Sequence, residues 1–366
     1  MSTHLFGEGA SRFFLEMLQT FRRRLLLSIA MFRSVLAAGL MALLPVAGAS
    51  RAAAADLGGT VDRVLTTASI GAAGMAAGKP RGEIAIGVYD PHDAVASSDA
   101  LTIEHVFIYW QALDKAMLKR KIAIAEGQGR ALMISVEPYT HASDWRAGGE
   151  RLFADIGRGR FDREIRDICR RAGEVAAPVY MRWGHEMEDP DGRYPWARRD
   201  TGGYKKAFRY FVESCRELAP DVRFVWSPKG HRNLAGYYPG DDVVDAIGIP
   251  VWGLQKMDVD YWGRERSFGE TLGEKYQRVA RFGKPVMVAE LGVSGSADYK
   301  RAWYAEILDR KTYRDRFPLL TAVVFFNDKE PYKWPLGYGS PDWRLDKASL
   351  AALVSDKAGL TGRPTQ

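Results

Sequence analysis

The chain has 366 residues, 46% of them hydrophobic and 27% charged, with only two cysteines. That composition supplies a large buried core and excludes both a disordered chain and a small disulfide-built scaffold. The formal charge of +7 does not point to nucleic acid: residues 1–55 hold six arginines against Glu8 and Glu16, more than half of the excess. The remaining Lys and Arg are interspersed with acids rather than gathered into a stripe.

At the N-terminus, Arg22, Arg23, Arg24 and Arg33 precede the apolar run 35–46, which is followed by Ala47-Gly48-Ala49 and Ala53-Ala54-Ala55. A basic, then apolar, then small-residue order reads as a secretory signal peptide over residues 1–55, cleaved after Ala49 or Ala55. The run falls short of the roughly 20 residues of a membrane span, so no stable span is expected after cleavage and the mature protein belongs in the periplasm or outside the cell. Joined through Arg33 to the apolar residues 25–32, it would instead make an uncleaved anchor. Residues 56–80, rich in Ala and Gly and free of aromatics, read as a linker or N-terminal arm.

The texture changes at residue 81, where short apolar runs begin to alternate with amphipathic stretches. The runs predict strands at Glu83–Tyr89, His105–Trp110, Ala131–Val136, Val179–Trp183, Arg223–Trp226, Val244–Ile249, Pro285–Ala289 and Leu319–Phe325. Helices are predicted at Asp114–Glu126, Phe161–Val175, Tyr204–Leu218, Leu272–Arg281, Tyr299–Arg310 and Lys347–Lys357. Eight strands separated by helical connections over residues 81–366 predict an α/β fold, a (β/α)8 TIM barrel forming one catalytic domain. Lys119-Arg120-Lys121 reads as a solvated helix face. Cys169 and Cys215 lie in helical segments flanking the fourth strand; an exported chain permits their pairing, but with no Cα separation to go on, two separate buried thiols are the favoured reading.

In such a barrel the chemistry sits at the C-terminal strand ends. In order these are Asp90, Trp110, Glu137, His185 with Glu186, Trp226, Trp252, Glu290 and Asn327. Glu186 and Glu290 close the fourth and seventh strands, placing two carboxyls where they can converge across the mouth. Hydrolysis of a glycosidic bond with retention needs such a pair about 5–5.5 Å apart, one protonated and one ionised. The bland alternative, salt-bridge partners or loop anchors, accounts for either glutamate alone better than for both. Trp110, Trp183, Trp196, Trp252 and Phe326 are candidate sugar platforms, since aromatic faces stack on the C–H faces of pyranose rings. Glu137, His185 and Asn327 are candidate polar contacts. No metal site is expected, because His185-Glu186 lacks a second histidine at zinc-binding spacing. No G-x-S-x-G elbow, Walker loop or dinucleotide fingerprint occurs.

These residues resemble glycoside hydrolase family 26, a family of β-mannanases and related β-glycanases. The resemblance runs from Gly87 to Arg344 and is carried by Ile86-Gly87-Val88-Tyr89, Ser135-Val136-Glu137-Pro138, Arg182-Trp183-Gly184-His185-Glu186-Met187, Tyr194-Pro195-Trp196, Trp226-Ser227-Pro228, Tyr237-Tyr238-Pro239-Gly240-Asp241, Ala289-Glu290-Leu291-Gly292, Phe326-Asn327 and Asp342-Trp343-Arg344. It implies Glu186 as acid/base, Glu290 as nucleophile and no cofactor. The expected activity is that of an exported retaining endo-β-glycanase on β-1,4-linked polysaccharide, either mannan or mixed-linkage β-glucan, with a bacterial exopolysaccharide as a further candidate; a monomer is expected. Two departures stand out. Trp252 occupies the place of a tyrosine that in the family hydrogen-bonds the nucleophile, and Phe326 that of a tryptophan platform. The alternative reading is a polysaccharide-binding or synthesis-associated protein with little or no catalysis.

Overall fold

A computed structural model describes residues 84–309, 315–334 and 336–346. Eight parallel strands close into a barrel in sequence order: β1 Ala85–Tyr89, β2 Ile103–Tyr109, β3 Ala131–Glu137, β4 Val179–Trp183, β5 Arg223–Trp226, β6 Ala246–Leu254, β7 Val286–Ser294 and β8 Leu320–Phe326. Seven helices are described: α1 Lys115–Gly127, α2 Gly149–Gly157, α3 Asp162–Gly173, α4 Thr201–Arg216, α5 Gln255–Trp262, α6 Phe268–Ala280 and α7 Ala297–Leu308. The expected (β/α)8 architecture is therefore present. Helices α2 and α5 were not anticipated, β6 and β7 run five residues further than their periodicity suggested, and the helix expected at Lys347–Lys357 lies outside the described residues.

Two apolar layers hold the barrel. Inside, Ala85, Ala131, Ala246, Ala289 and Ala322 leave room for Ile103, Met133, Tyr180, Met287 and Val324, which fill the lower half. Outside, β-branched and aromatic residues of the strands pack on the helices. Every residue of β3 and β4 is buried, as expected where both faces of a parallel strand are covered. Local signals set the helix starts. Asp114 accepts the amides of Ala116 and Met117 at 3.0 and 2.9 Å, and Ser267 with Glu270 forms a capping box at the start of α6, satisfying donors the helix cannot.

Two expectations are corrected. Cys169 and Cys215 form a disulfide that ties α3 to α4, with Cα atoms 5.0 Å apart; the pairing depends on how the helices pack, which no local pattern encodes. Closing a loop of 46 residues stabilises by about 4 kcal/mol in the chain-entropy picture. Replacing both cysteines with serine is therefore expected to lower the urea midpoint by the equivalent of about 2–4 kcal/mol, and an unchanged midpoint would remove the disulfide from the stability account. Lys121, assigned to a solvated face, is buried. Its ammonium meets Glu104 at 2.7 Å and Asp93 at 2.8 Å, and Glu104 also receives Arg130 at 2.6 Å. The short loop 90–98 turns Asp93 inward over α1, so only Lys119 and Arg120 of that run stay exposed.

Candidate active site

Glu186 stands two residues beyond Gly184, which leaves β4 in the left-handed backbone region at φ 54°. Glu186 itself has φ 54°, a conformation that costs a non-glycine residue about 1–3 kcal/mol and persists only where its surroundings enforce it. Those surroundings are the Glu186 amide donating to the Ser227 carbonyl at 2.8 Å and the Trp196 indole donating to the His185 carbonyl at 2.7 Å. The turn aims the buried Glu186 carboxyl over the barrel mouth, where one of its oxygens, one of Glu290 and a ring nitrogen of His185 all lie within 4.8 Å of one another.

Glu290 reaches the same point by a different device. Pairing of β6 with β7 slips by one residue between Ile249 and Pro250, so that Ile249 faces Val288 while Pro250 faces Glu290. Below this bulge Met287 and Ala289 point inward; the extra residue reverses the alternation and turns Glu290 inward as well, as bulges beside functional sites do. Gly292 then keeps the mouth open to Trp252, because a Cβ there would come within 2.6 Å of the indole.

Arg182 lies beneath the pair, fully buried inside the barrel. Its guanidinium donates to Ser227 Oγ at 2.7 Å, Ser135 Oγ at 3.0 Å and Glu290 Oε1 at 2.5 Å. Burial pushes the Glu290 carboxyl up and the nearby charge of Glu186 adds to this, while Arg182 works in the opposite direction. Arg182, with a smaller contribution from Arg193, thus favours an ionised Glu290. With Trp252 in the place of the family's tyrosine, the side-chain hydrogen bond to Glu290 comes from Arg182.

Glu137, at the end of β3, places Oε1 3.3 Å from His185 Nε2 and 3.4 Å from the Tyr139 hydroxyl. Burial, then the charge of Glu290, pushes its carboxyl up to about 8. Burial holds the His185 imidazole well below its ordinary range, so that ring is neutral and one nitrogen can accept the Glu137 proton. The native state therefore retains a proton that the unfolded chain releases near pH 4.5. The associated stability is fully present below that pH and declines as the pH rises toward 8, by at most about 5 kcal/mol. Glu137→Gln is expected to flatten the decline, measured as urea midpoints at pH 5 and pH 8; equal slopes for the two proteins would contradict it.

Of the anticipated platforms, Trp252 and Phe326 are part-exposed in the mouth with ring centroids 5.5 Å apart. Three others are corrected to core roles. Trp183 follows the inward Arg182, so alternation turns it outward against Phe211 and Tyr204. Trp110 stacks on Phe161 and donates to the Tyr139 carbonyl. Trp196 stacks on Tyr194 at 4.6 Å and buttresses His185. All three are at most 2% exposed, leaving no face for a sugar. Asn327 is a strut: it donates to Asp90 at 3.2 Å and accepts the Leu345 amide at 2.8 Å. Part-exposed Tyr89 and Phe107, with exposed Tyr109, complete the aromatic wall, and an exposed Arg193 lies over Tyr194. Period-two alternation from Gly87 and His105 would have found these tyrosines and the phenylalanine.

Among the described residues, His185, Glu186 and Glu290 also form the one cluster with the spacing to hold a cation, although Arg182 already occupies an oxygen of Glu290. A hollow of about 690 Å³ between α2 and α4, lined by Phe153, Arg199 and Tyr210, lies on the outer wall and includes none of these carboxylates.

Two buried carboxyls facing each other at the C-terminal mouth of a closed parallel barrel are the arrangement that (β/α)8 glycosidases require. The model of glycosyl hydrolase family 26 matches residues 159–311, the stretch that holds both Glu186 and Glu290. It is 26% identical over 282 residues to Endoglucanase H of Acetivibrio thermocellus, covering 72% of this chain and 28% of that protein. It is 29% identical over 140 residues to the β-1,3-xylanase TXYA of a Vibrio species, covering 34% and 29%. The chain thus spans less than a third of the length of either relative. In fold it resembles a modular endo-β-1,4-mannanase from Cellulomonas fimi, with a TM-score of 0.56 at 15% identity over 75% of this chain and 70% of that one. A family 26 β-mannanase from Bacteroides ovatus gives 0.55 at 16% identity, over 76% and 89%.

Proposed function

We propose that this protein is an exported retaining endo-β-glycanase, with Glu186 as acid/base and Glu290 as nucleophile. The observation that carries the reading is the approach of the Glu186 and Glu290 oxygens to within 4.8 Å, close to the roughly 5–5.5 Å of retaining enzymes and well short of the 6.5–9.5 Å that makes room for water in inverting ones. Protonated Glu186 gives its proton to the glycosidic oxygen while a Glu290 oxygen attacks C1; the C1–O bond breaks and a glycosyl ester forms. Glu186, now a base, takes a proton from water, whose oxygen attacks C1 and expels Glu290 with the starting configuration restored. Trp252, Phe326 and Tyr109 supply ring faces for the sugar, and neutral His185 with Glu137 supplies hydrogen bonds.

The substrate we favour is a β-1,4-linked polysaccharide, either mannan or mixed-linkage glucan. The named activities of the relatives support a β-linked backbone, and they add β-1,3-xylan to the candidates. Export is supported by the leader and by the Cys169–Cys215 disulfide, since disulfides persist in oxidising compartments. The test is incubation with these polysaccharides, following reducing ends and, by proton NMR, the anomer formed first. New reducing ends with the β-anomer appearing first are expected. An α-anomer first would overturn the double displacement, and binding without new reducing ends would favour the non-catalytic reading.

A further inference from the structure

The upper part of β6 has a strand on only one side. β5 pairs with it at Val225 with Ala246 and at Trp226 with Ile247, whereas β6 continues to Leu254 and stays paired with β7 throughout. Beyond Ile247, buried backbone groups on the β5 side need partners from elsewhere. Two side chains supply them. Ser227, just past β5, donates its hydroxyl to the Gly248 carbonyl at 2.9 Å, and Lys275 of α6 donates its ammonium to the Pro250 carbonyl at 2.6 Å. Pro250 has no N–H, so that carbonyl is its whole backbone hydrogen-bonding capacity. It is also the residue that faces Glu290 across the slipped register.

Among the described residues, the Pro250 carbonyl is the one hydrogen-bond partner of the Lys275 ammonium, and no carboxylate lies within ion-pair distance of it. Burial pulls the ammonium down to about 8, with the charge of Glu186 the largest influence in the opposite direction. A cation screened from water with no acid in contact weighs against folding. The stem of Lys275 lies against Gly230, where a Cβ would come within 2.8 Å of Lys275 Cγ. That turn is secured separately: Glu188 accepts the amides of Gly230 and His231 at 2.8 and 3.1 Å, and Arg278 donates to the Gly230 carbonyl. Removing the charge while keeping the stem therefore disturbs Pro250 and leaves the turn in place.

We propose that Lys275 is a positioning residue for Glu290. Its ammonium fixes the Pro250 edge of β6, and through the β6–β7 register it fixes the slipped segment of β7 that turns Glu290 toward Glu186 and onto Arg182. The catalytic consequence rests on the glycanase reading; the placement of the Glu290 carboxyl does not.

The test uses Lys275→Met, which keeps the stem and removes the donor, and Lys275→Arg, which keeps a donor. Lys275→Gln, one atom too short to reach Pro250, is read in the same way if the methionine variant does not fold. Lys275→Met is expected to lose about 10²-fold in kcat, the effect of misplacing a reacting group by about 1 Å. KM is expected to change by less than about twofold, and Lys275→Arg to retain most of the rate. A second background isolates the route. In Glu290→Ala with an aryl glycoside, azide from solution forms the bond to C1 in place of the missing carboxylate, so adding Lys275→Met is expected to leave that rate unchanged. A crystal structure of Lys275→Met is expected to show the Glu290 carboxyl displaced from Arg182. Wild-type kcat in Lys275→Met, an equal loss in the azide reaction, or Glu290 in its wild-type place would each overturn the proposal. A wild type that cleaves none of mannan, mixed-linkage glucan or β-1,3-xylan, with Glu290 displaced in Lys275→Met, would reject the hydrolase and uphold the positioning role.

Discussion

Glu290→Gln is expected to lower kcat by about 10⁴-fold or more, with the fold retained. Glutamine keeps the size and one acceptor for Arg182 but carries no charge to attack C1, so the first displacement has no nucleophile. Glu290→Ala is a harsher change for a separate reason. It leaves the Arg182 guanidinium buried without its anionic partner, a loss of about 3–5 kcal/mol in comparable buried pairs. Circular dichroism and urea midpoints separate the two effects. Azide, added to Glu290→Ala with an aryl glycoside, is expected to take the vacated place, form a bond to C1 as the phenolate leaves, and give the inverted glycosyl azide. Hydrolysis by Glu290→Gln at wild-type rates would remove Glu290 from the mechanism.

Arg182→Met is the second large effect. Arg182 is fully buried and bonded to Glu290; it acts through Glu290, so it is a positioning residue and its signature lies in the pH profile. With the guanidinium gone, burial and the neighbouring carboxyl act on Glu290 against only the weaker pull of Arg193. The acidic limb of kcat/KM is expected to move upward by one unit or more, with a fall of about 10²–10³-fold near pH 6. A variant that was merely misfolded would lose activity at every pH without moving the limb. The native state would also hold the Glu290 proton more tightly than the unfolded chain does. Stability then falls as pH rises through the unfolded value near 4.5, where in the wild type Arg182 moderates that fall. Arg182→Lys keeps the charge but cannot span Ser135, Ser227 and Glu290 together, so partial recovery is expected.

Much of this was legible along the chain, and the misses share a cause. Period-two alternation places Arg182 and Trp183 on opposite faces of β4, so a charged residue in an otherwise apolar strand was itself the sign that position 182, not 183, faces the interior. Reading strand ends as a set, without tracking parity, assigned Trp183 and Trp110 to the cleft, although their faces are consumed by Phe211 and Phe161. Parity alone would also have failed at Glu290, since Ala289 and Glu290 both face inward across the bulge that starts opposite Ile249. Lys121 stood in a run of three basic residues, and its burial follows from Asp93 and Glu104, neither of which belongs to its helix.

Sequence by itself determined the number and order of the strands, the helix caps and the two glutamates that close the fourth and seventh strands, because each is written in a window of a few residues through alternation, turn chemistry and capping. Tertiary structure alone decided that Arg182 meets Glu290 across 108 residues, that Cys169 pairs with Cys215, and that one slipped residue turns Glu290 toward Glu186. Those are separations between side chains remote along the chain, and they are set by barrel closure and strand register, which depend on all eight strands at once.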